Sequence, residues 1–142
     1  MARRIIQAGM TFSLDFHYSD CWADPDKQYK PSAWEGLTGE ALENALYQYT
    51  RHVLTTLKEA EAAPQIIQLG NEINHGMVWP EGYIDDNAKE ENWAALMGLY
   101  KAAVKAAREV LPDVPAPSSP KRTLPHLQSA RFHGIAGSDR FH

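Results

Sequence analysis

The period of the apolar positions changes several times along the chain, and each change marks an element. "MTFSLDFHYSD" sets Phe12, Leu14 and Phe16 against Thr11, Ser13 and Asp15, the alternation of a strand. Ahead of it, "ARRIIQAGM" reads as the last turns of a helix closed by Gly9, because glycine is favoured just past a helix end where φ turns positive. From Glu40 to Ala63 the positions Leu42, Leu46, Tyr49, Val53 and Leu57 step by four and three, which predicts a helix with Thr38 as its cap and Pro64 as its stop. "QIIQLG" is a short Ile- and Leu-rich run, as expected of a strand covered on both faces in a parallel sheet. Trp93, Leu96, Tyr100, Ala103 with Val104, Ala107 and Val110 with Leu111 mark a further helix ending near Pro112.

One long loop separates each strand from the helix after it. "CWADPDKQYKPSAWEGLTG" and "NEINHGMVWPEGYIDDNAKEEN" are too long and too aromatic to be mere connections. Strand, loop, helix, repeated twice, predicts right-handed crossovers and an α/β architecture with a parallel sheet. Opening on a helix end implies a preceding part of the fold. After Leu111 the rhythm stops. Residues 112–142 hold Pro112, Pro115, Pro117, Pro120 and Pro125 without alternation or a helical stripe, and form an irregular tail. A frameshifted or truncated gene is one reading of it, a natural Pro-rich linker the other. The chain thus divides into a partial domain over 1–111 and the tail.

With 44% hydrophobic and 23% charged residues the chain has the make-up of one globular domain. Its net charge of -4, from 18 acids and 14 bases without a long block of one sign, argues against a nucleic-acid surface or a polybasic membrane anchor. Cys21 is the only cysteine, so no intrachain disulfide forms, and a reduced core thiol is expected rather than a reactive one. No signal-length apolar run opens the chain, and no stretch approaches the ~18 apolar residues of a membrane span. As given, the chain is expected in the cytoplasm.

Both strands finish in polar groups, "DFHYSD" and "GNEIN". In parallel α/β folds the carboxyl ends of the strands carry the chemistry. Neighbouring strands lie ~4.8 Å apart, so His17, Tyr18 or Asp20 can share a cleft with Asn71 and Glu72. Glu72 is the best catalytic candidate, since a carboxyl desolvated at a strand end can keep its proton and donate it. Asn71 could hydrogen-bond a substrate hydroxyl. An ion pair with a nearby Arg or Lys is an equally good account of Glu72. Trp22, Trp34 and Trp79 in the two loops suggest carbohydrate, because sugar rings stack on indole; each could instead plug the rim. Asp15, His17, Asp20, Asp24 and His75 match no zinc or calcium spacing, no glycine-rich nucleotide loop is present, and no metal or cofactor is assigned.

"LDFHYSDCWADPDKQYKPSAW", "YTRHVLTTLKEA" and "IIQLGNEINHGMVWPEG" together closely resemble glycoside hydrolase family 53, the arabinogalactan endo-β-1,4-galactanases, over residues 3–111. The resemblance implies a fragment of a (β/α)8 TIM barrel, its third and fourth strand-helix units. It implies that Glu72 is the general acid/base, that Asn71 contacts the sugar 2-hydroxyl, that His17 and Asp20 belong to the "HYSD" motif, and that Trp22 and Trp79 are aromatic positions of the cleft. A galactan polysaccharide or galacto-oligosaccharide is the implied partner, with neither nucleic acid nor membrane. Retaining hydrolysis needs a second carboxylate ~5 Å away. The family places it at the seventh strand, and no such nucleophile falls in this chain. The isolated chain is therefore expected to be inactive, a non-catalytic carbohydrate-binding remnant or a nonfunctional gene fragment being the alternatives. Uncovered sheet edges and apolar helix faces are expected to drive self-association. Members of the family include secreted and intracellular proteins, so the parent's location stays open.

Overall fold

The structure, a computed structural model, describes residues 1–115. Most of the expected tail lies outside the described residues. In chain order the elements are α1 (Ala2–Gln7), β1 (Ser13–Phe16), a 3-10 turn (Ser32–Trp34), α2 (Gly39–Glu59), β2 (Ile66–Leu69) and α3 (Glu90–Val110).

The short α1 ends as its sequence requires. Gly9 sits at φ 73, the Gly9 N–H donates to the Ile6 carbonyl and Met10 N–H to that of Ile5, a pair of bonds that closes a helix only when the residue after its end is left-handed. The chain then enters β1, which pairs in parallel with β2 in the register Ser13 to Ile66 and Phe16 to Leu69. Each end of this ladder is extended: Gln65 N–H donates to Phe12 O, and Gly70 N–H to Phe16 O, both at 2.9 Å.

The two faces of the ladder differ. Phe16, Ile67 and Leu69 are buried against the helices. Ser13, Asp15, Ile66 and Gln68 occupy the opposite face and stay exposed or half-buried. One face of the expected doubly covered sheet is thus covered by this chain itself, and the other is half polar.

α2 and α3 pack side by side and bury most of each other's apolar stripe. On α3 the stripe matches expectation, Leu96, Tyr100, Ala103, Val104, Ala107 and Val110, with Leu99 and Ala106 added. On α2, the helix that the spacing of its apolar positions predicts, the fully buried row is Leu42, Leu46, Thr50 and Leu54, with Val53 half-buried against the core and Tyr49 exposed. A straight row of fourth residues makes the ridge here, and Thr50 fits because its hydroxyl is satisfied, donating to Leu46 O and bonding Tyr18 Oη, each at 2.9 Å. Thr38 precedes α2 but makes no side-chain cap bond. Lys58 Nζ donates to Val110 O and so caps the end of α3.

Among the described residues the large exposed apolar side chains are Met1, Met10, Trp22, Tyr29, Tyr49 and Tyr83. Only Tyr49 belongs to α2 or α3, so the expected bare apolar helix faces are not there: the two helices cover each other. What stays open is the outer edge of each strand. No described helix is long and apolar enough to cross a membrane.

Candidate active site

The sheet delivers both polar clusters to one end. β1 ends at Phe16 and β2 at Leu69, in register, so His17 and Gly70 leave neighbouring strands side by side. The backbone then turns sharply, with positive φ at Tyr18 (52) on one strand exit and at Gly70 (94) and Glu72 (49) on the other. Such values are strained for residues with a side chain, at ~1–2 kcal/mol each, so the surrounding contacts must hold them.

Those contacts come from the first loop. The buried Ala23 peptide joins both strand exits: its N–H donates to His17 Nδ1 at 3.1 Å, and its carbonyl accepts from Asn71 Nδ2 at 2.8 Å. With Nδ1 an acceptor, neutral His17 carries its proton on Nε2. That nitrogen lies 3.6 Å from Asp15 Oδ2. Burial, outweighing the opposing influence of His17 and helped by Glu72, raises the proton affinity of Asp15 above the ordinary carboxylate range. Asp15 keeps 36% of its side chain exposed on the polar strand face. Glu72, for which desolvation was expected, is exposed as well.

The second loop folds onto the first as a small parallel ladder. Trp79 N–H donates to Gln28 O at 2.7 Å, and Lys30 N–H to Trp79 O at 3.2 Å. Lys30 reaches Glu81 at 2.6 Å and Leu37 O at 2.9 Å. Trp79 Nε1 donates to His75 O, and its ring meets Tyr29 and Tyr83 edge-on, with centroids 6.3 and 5.0 Å away. A cleft of about 640 Å³ opens between the loops, lined among others by Asp20, Cys21, Tyr29, Lys30, Trp79 and Glu81.

The sequence candidates thus fall into groups. His17, Asn71 and Glu72 gather at the strand tips, with Asp15 behind them. Asp20 and Trp79 line the adjacent cleft, and do not share its lining with Glu72. Asp20 Oδ2 accepts from both the N–H and the hydroxyl of Ser32 at 2.8 Å, and these bonds hold its proton affinity below the usual range, so much of its bonding capacity serves the loop. Trp22 is 74% exposed, its ring edge against His17 at 4.8 Å between centroids. Trp34 is not in the cleft: the 3-10 turn carries it onto Tyr49 of α2, where it packs against the core as a plug. Cys21 is exposed rather than a core thiol, since it lies in the loop beyond the last buried residue of β1. Among the described residues no three His, Cys, Asp or Glu side chains converge as a metal site.

Two participants escaped the sequence reading, Gln28 and the Lys30–Glu81 pair. A polar residue followed by a basic one in a loop looks like any solvated stretch. Only their burial identifies them, Gln28 at 1% exposed and Lys30 at 9% by side chain.

Comparisons with known proteins agree on one family. The model of Glycosyl hydrolase family 53 matches residues 1–131. A protein of Niallia circulans, described as an uncharacterized protein in bgaB 5'region, is 41% identical over 99% of this chain and 38% of its own length. The arabinogalactan endo-beta-1,4-galactanase of Cellvibrio japonicus is 32% identical over 96% of this chain and again 38% of its own. Among solved structures, the Ignisphaera aggregans GH53 catalytic domain superposes with a TM-score of 0.74 at 41% identity, over 81% of this chain and 30% of that one. One of two fungal beta-1,4-galactanases gives 0.72 at 35% identity, over 81% and 33%. The chain thus spans under two fifths of the curated relatives it matches. Its two strand-helix units are part of a TIM barrel, whose interior is the side on which Ser13, Asp15 and Gln68 stand.

Proposed function

The chain belongs to glycosyl hydrolase family 53, and from that premise we propose that it carries the proton-transfer half of a retaining endo-β-1,4-galactanase site. The observation that carries the reading is the Asn71–Glu72 pair at the carboxyl end of a parallel strand, tied through Ala23 to His17 on the neighbouring strand.

In this reading Glu72 protonates the leaving glycosidic oxygen of β-1,4-galactan and later takes the proton of the attacking water. Asn71 has one amide N–H committed to Ala23 and its Oδ1 accepting from Gln68 Nε2 at 3.5 Å, which fixes the carboxamide so that its remaining N–H can meet the sugar 2-hydroxyl. Trp79 offers an indole face steadied by Tyr29 and Tyr83, and Trp22 a second face at the rim. The carboxylate that attacks the anomeric carbon must lie ~5 Å from Glu72. Asp15 does not stand free for that role, because His17 Nε2 lies 3.6 Å from its Oδ2. The nucleophile is therefore assigned outside these residues.

The test is hydrolysis. The purified 142-residue chain should release no galacto-oligosaccharides from galactan. Release that Glu72→Gln abolishes would show that both carboxylates are present and overturn this division. In a longer form that supplies the second Glu, Glu72→Gln should lower kcat ~10²–10⁴-fold on galactan. An aryl galactoside with an acidic leaving group should be spared in the first step, because it needs no proton.

A further inference from the structure

We propose that Gln28 is a positioning residue for this site: its buried carboxamide holds the Asn71–Glu72 backbone in the left-handed turn that carries the proton donor. The inference rests on the proposed role of Glu72, but concerns geometry that exists without turnover.

Gln28 lies 44 residues from Glu72 and is 1% exposed. Its Nε2 donates to Asn71 O at 2.7 Å and to Asp24 O at 3.0 Å, with Glu72 O at the margin of contact, 3.5 Å. Carbonyl oxygens on that side fix the orientation of the amide, since the reverse would set Oε1 against them. The main chain of Gln28 takes part as well, its carbonyl accepting from Trp79 N–H at 2.7 Å. One residue of the first loop therefore sets the acid-bearing turn with its side chain and the indole-bearing segment with its backbone.

The need for such a clamp follows from the chain path. β2 gives its last ladder bond at Gly70, after which the backbone must bend off the sheet edge and Glu72 enters φ 49. Glu72 O is held locally by Asn74 N–H at 2.8 Å, but Asn71 O has turned away from the ladder and finds its donor in Gln28. Without that donor, a right-handed Glu72 becomes the lower-energy choice and the carboxyl moves with it.

The strong intraresidue amide–Hα NOE of a left-handed residue reads this directly in the labelled full chain, and Tyr18, at φ 52, provides an internal reference for folding. In Gln28→Leu the Glu72 NOE should weaken at least two-fold while that of Tyr18 persists. Gln28→Glu adds the chemical test. Its carboxylate would oppose the Asp24 and Asn71 carbonyls, whereas its protonated form can donate one O–H. The Glu72 NOE should therefore be lost at neutral pH and recovered on acidification, reversibly, with wild type unchanged over the same range. A Glu72 NOE of full strength in Gln28→Leu would overturn the proposal. So would failure of Gln28→Glu to recover at low pH, whether the turn stays relaxed or the chain stays unfolded. Absence of hydrolysis bears on the proposed activity and leaves these NOEs unaffected.

Discussion

Replacing Lys30 by Met should unfold this chain more readily than any surface charge deletion. Lys30 Nζ meets Glu81 Oε1 at 2.6 Å and donates to Leu37 O at 2.9 Å, with side chains only 9% and 19% exposed. The other Glu81 oxygen is buried with no hydrogen-bond partner among the described residues. Methionine would fill much the same space but leave the Glu81 carboxylate without its counter-charge. Losing one half of a buried pair costs ~3–5 kcal/mol, and the residual exposure of Glu81 places the loss near the lower end, about 3 kcal/mol. With a urea dependence of ~1.5 kcal/mol per molar, the midpoint should fall by ~2 M. Lys30→Met with Glu81→Leu should recover most of that, because an apolar pair leaves no buried charge behind. A single variant within ~0.5 kcal/mol of wild type would refute the reasoning, since it would make this an ordinary solvated ion pair.

Other outcomes follow from the same geometry. The folded-state pKa of Asp15 is raised above 3.8, so its favourable contribution is complete at acid pH and lost as pH rises through the folded value. Asp15→Asn should therefore match wild type in urea at ~pH 3 and exceed it near ~pH 7; equal midpoints at both would contradict the burial argument. Gly76→Ala should abolish the native fold by circular dichroism, because at φ 80 its Cβ would fall 1.7 Å from Gly82 O, and a cooperative melt near the wild-type temperature would refute it. The outer edges of β1 and β2 are unpaired among the described residues, so sedimentation velocity should show association that grows with concentration. A monomer at every concentration would argue that the half-polar sheet face is cover enough.

What the sequence disclosed follows the range of the interactions. α3 was legible because Leu96, Tyr100, Ala103 and Ala107 repeat at helical spacing, and the cap at Gly9 because its conformational need is local. The helix of α2 was legible from its spacing, but the burial of Thr50 was not, because Tyr18, 32 residues away, shares its hydroxyl with Leu46 O. The strand-end cluster was visible, since a polar rim after an apolar run is a local pattern. Its scaffolding was not. Gln28 to Asn71 spans 43 residues and Lys30 to Glu81 spans 51, and neither pairing leaves a trace in periodicity. Cys21 was misplaced and the role of Trp34 left open for the converse reason, because in an irregular loop residue type alone does not say which side chains turn inward.

The most direct test of the central claim is a titration of the chain, carrying carboxyl-labelled glutamate, with β-1,4-galactotetraose, followed at the Glu72 carboxyl and Trp79 indole resonances. If the strand-end rim and the aromatic cleft form one galactan site, both signals should shift along a single saturation curve, and Trp79→Ala should weaken it. Saturation that moves neither signal, or shifts confined to residues remote from the Asn71–Glu72 turn, would contradict the assignment of this rim as the site where galactan is held.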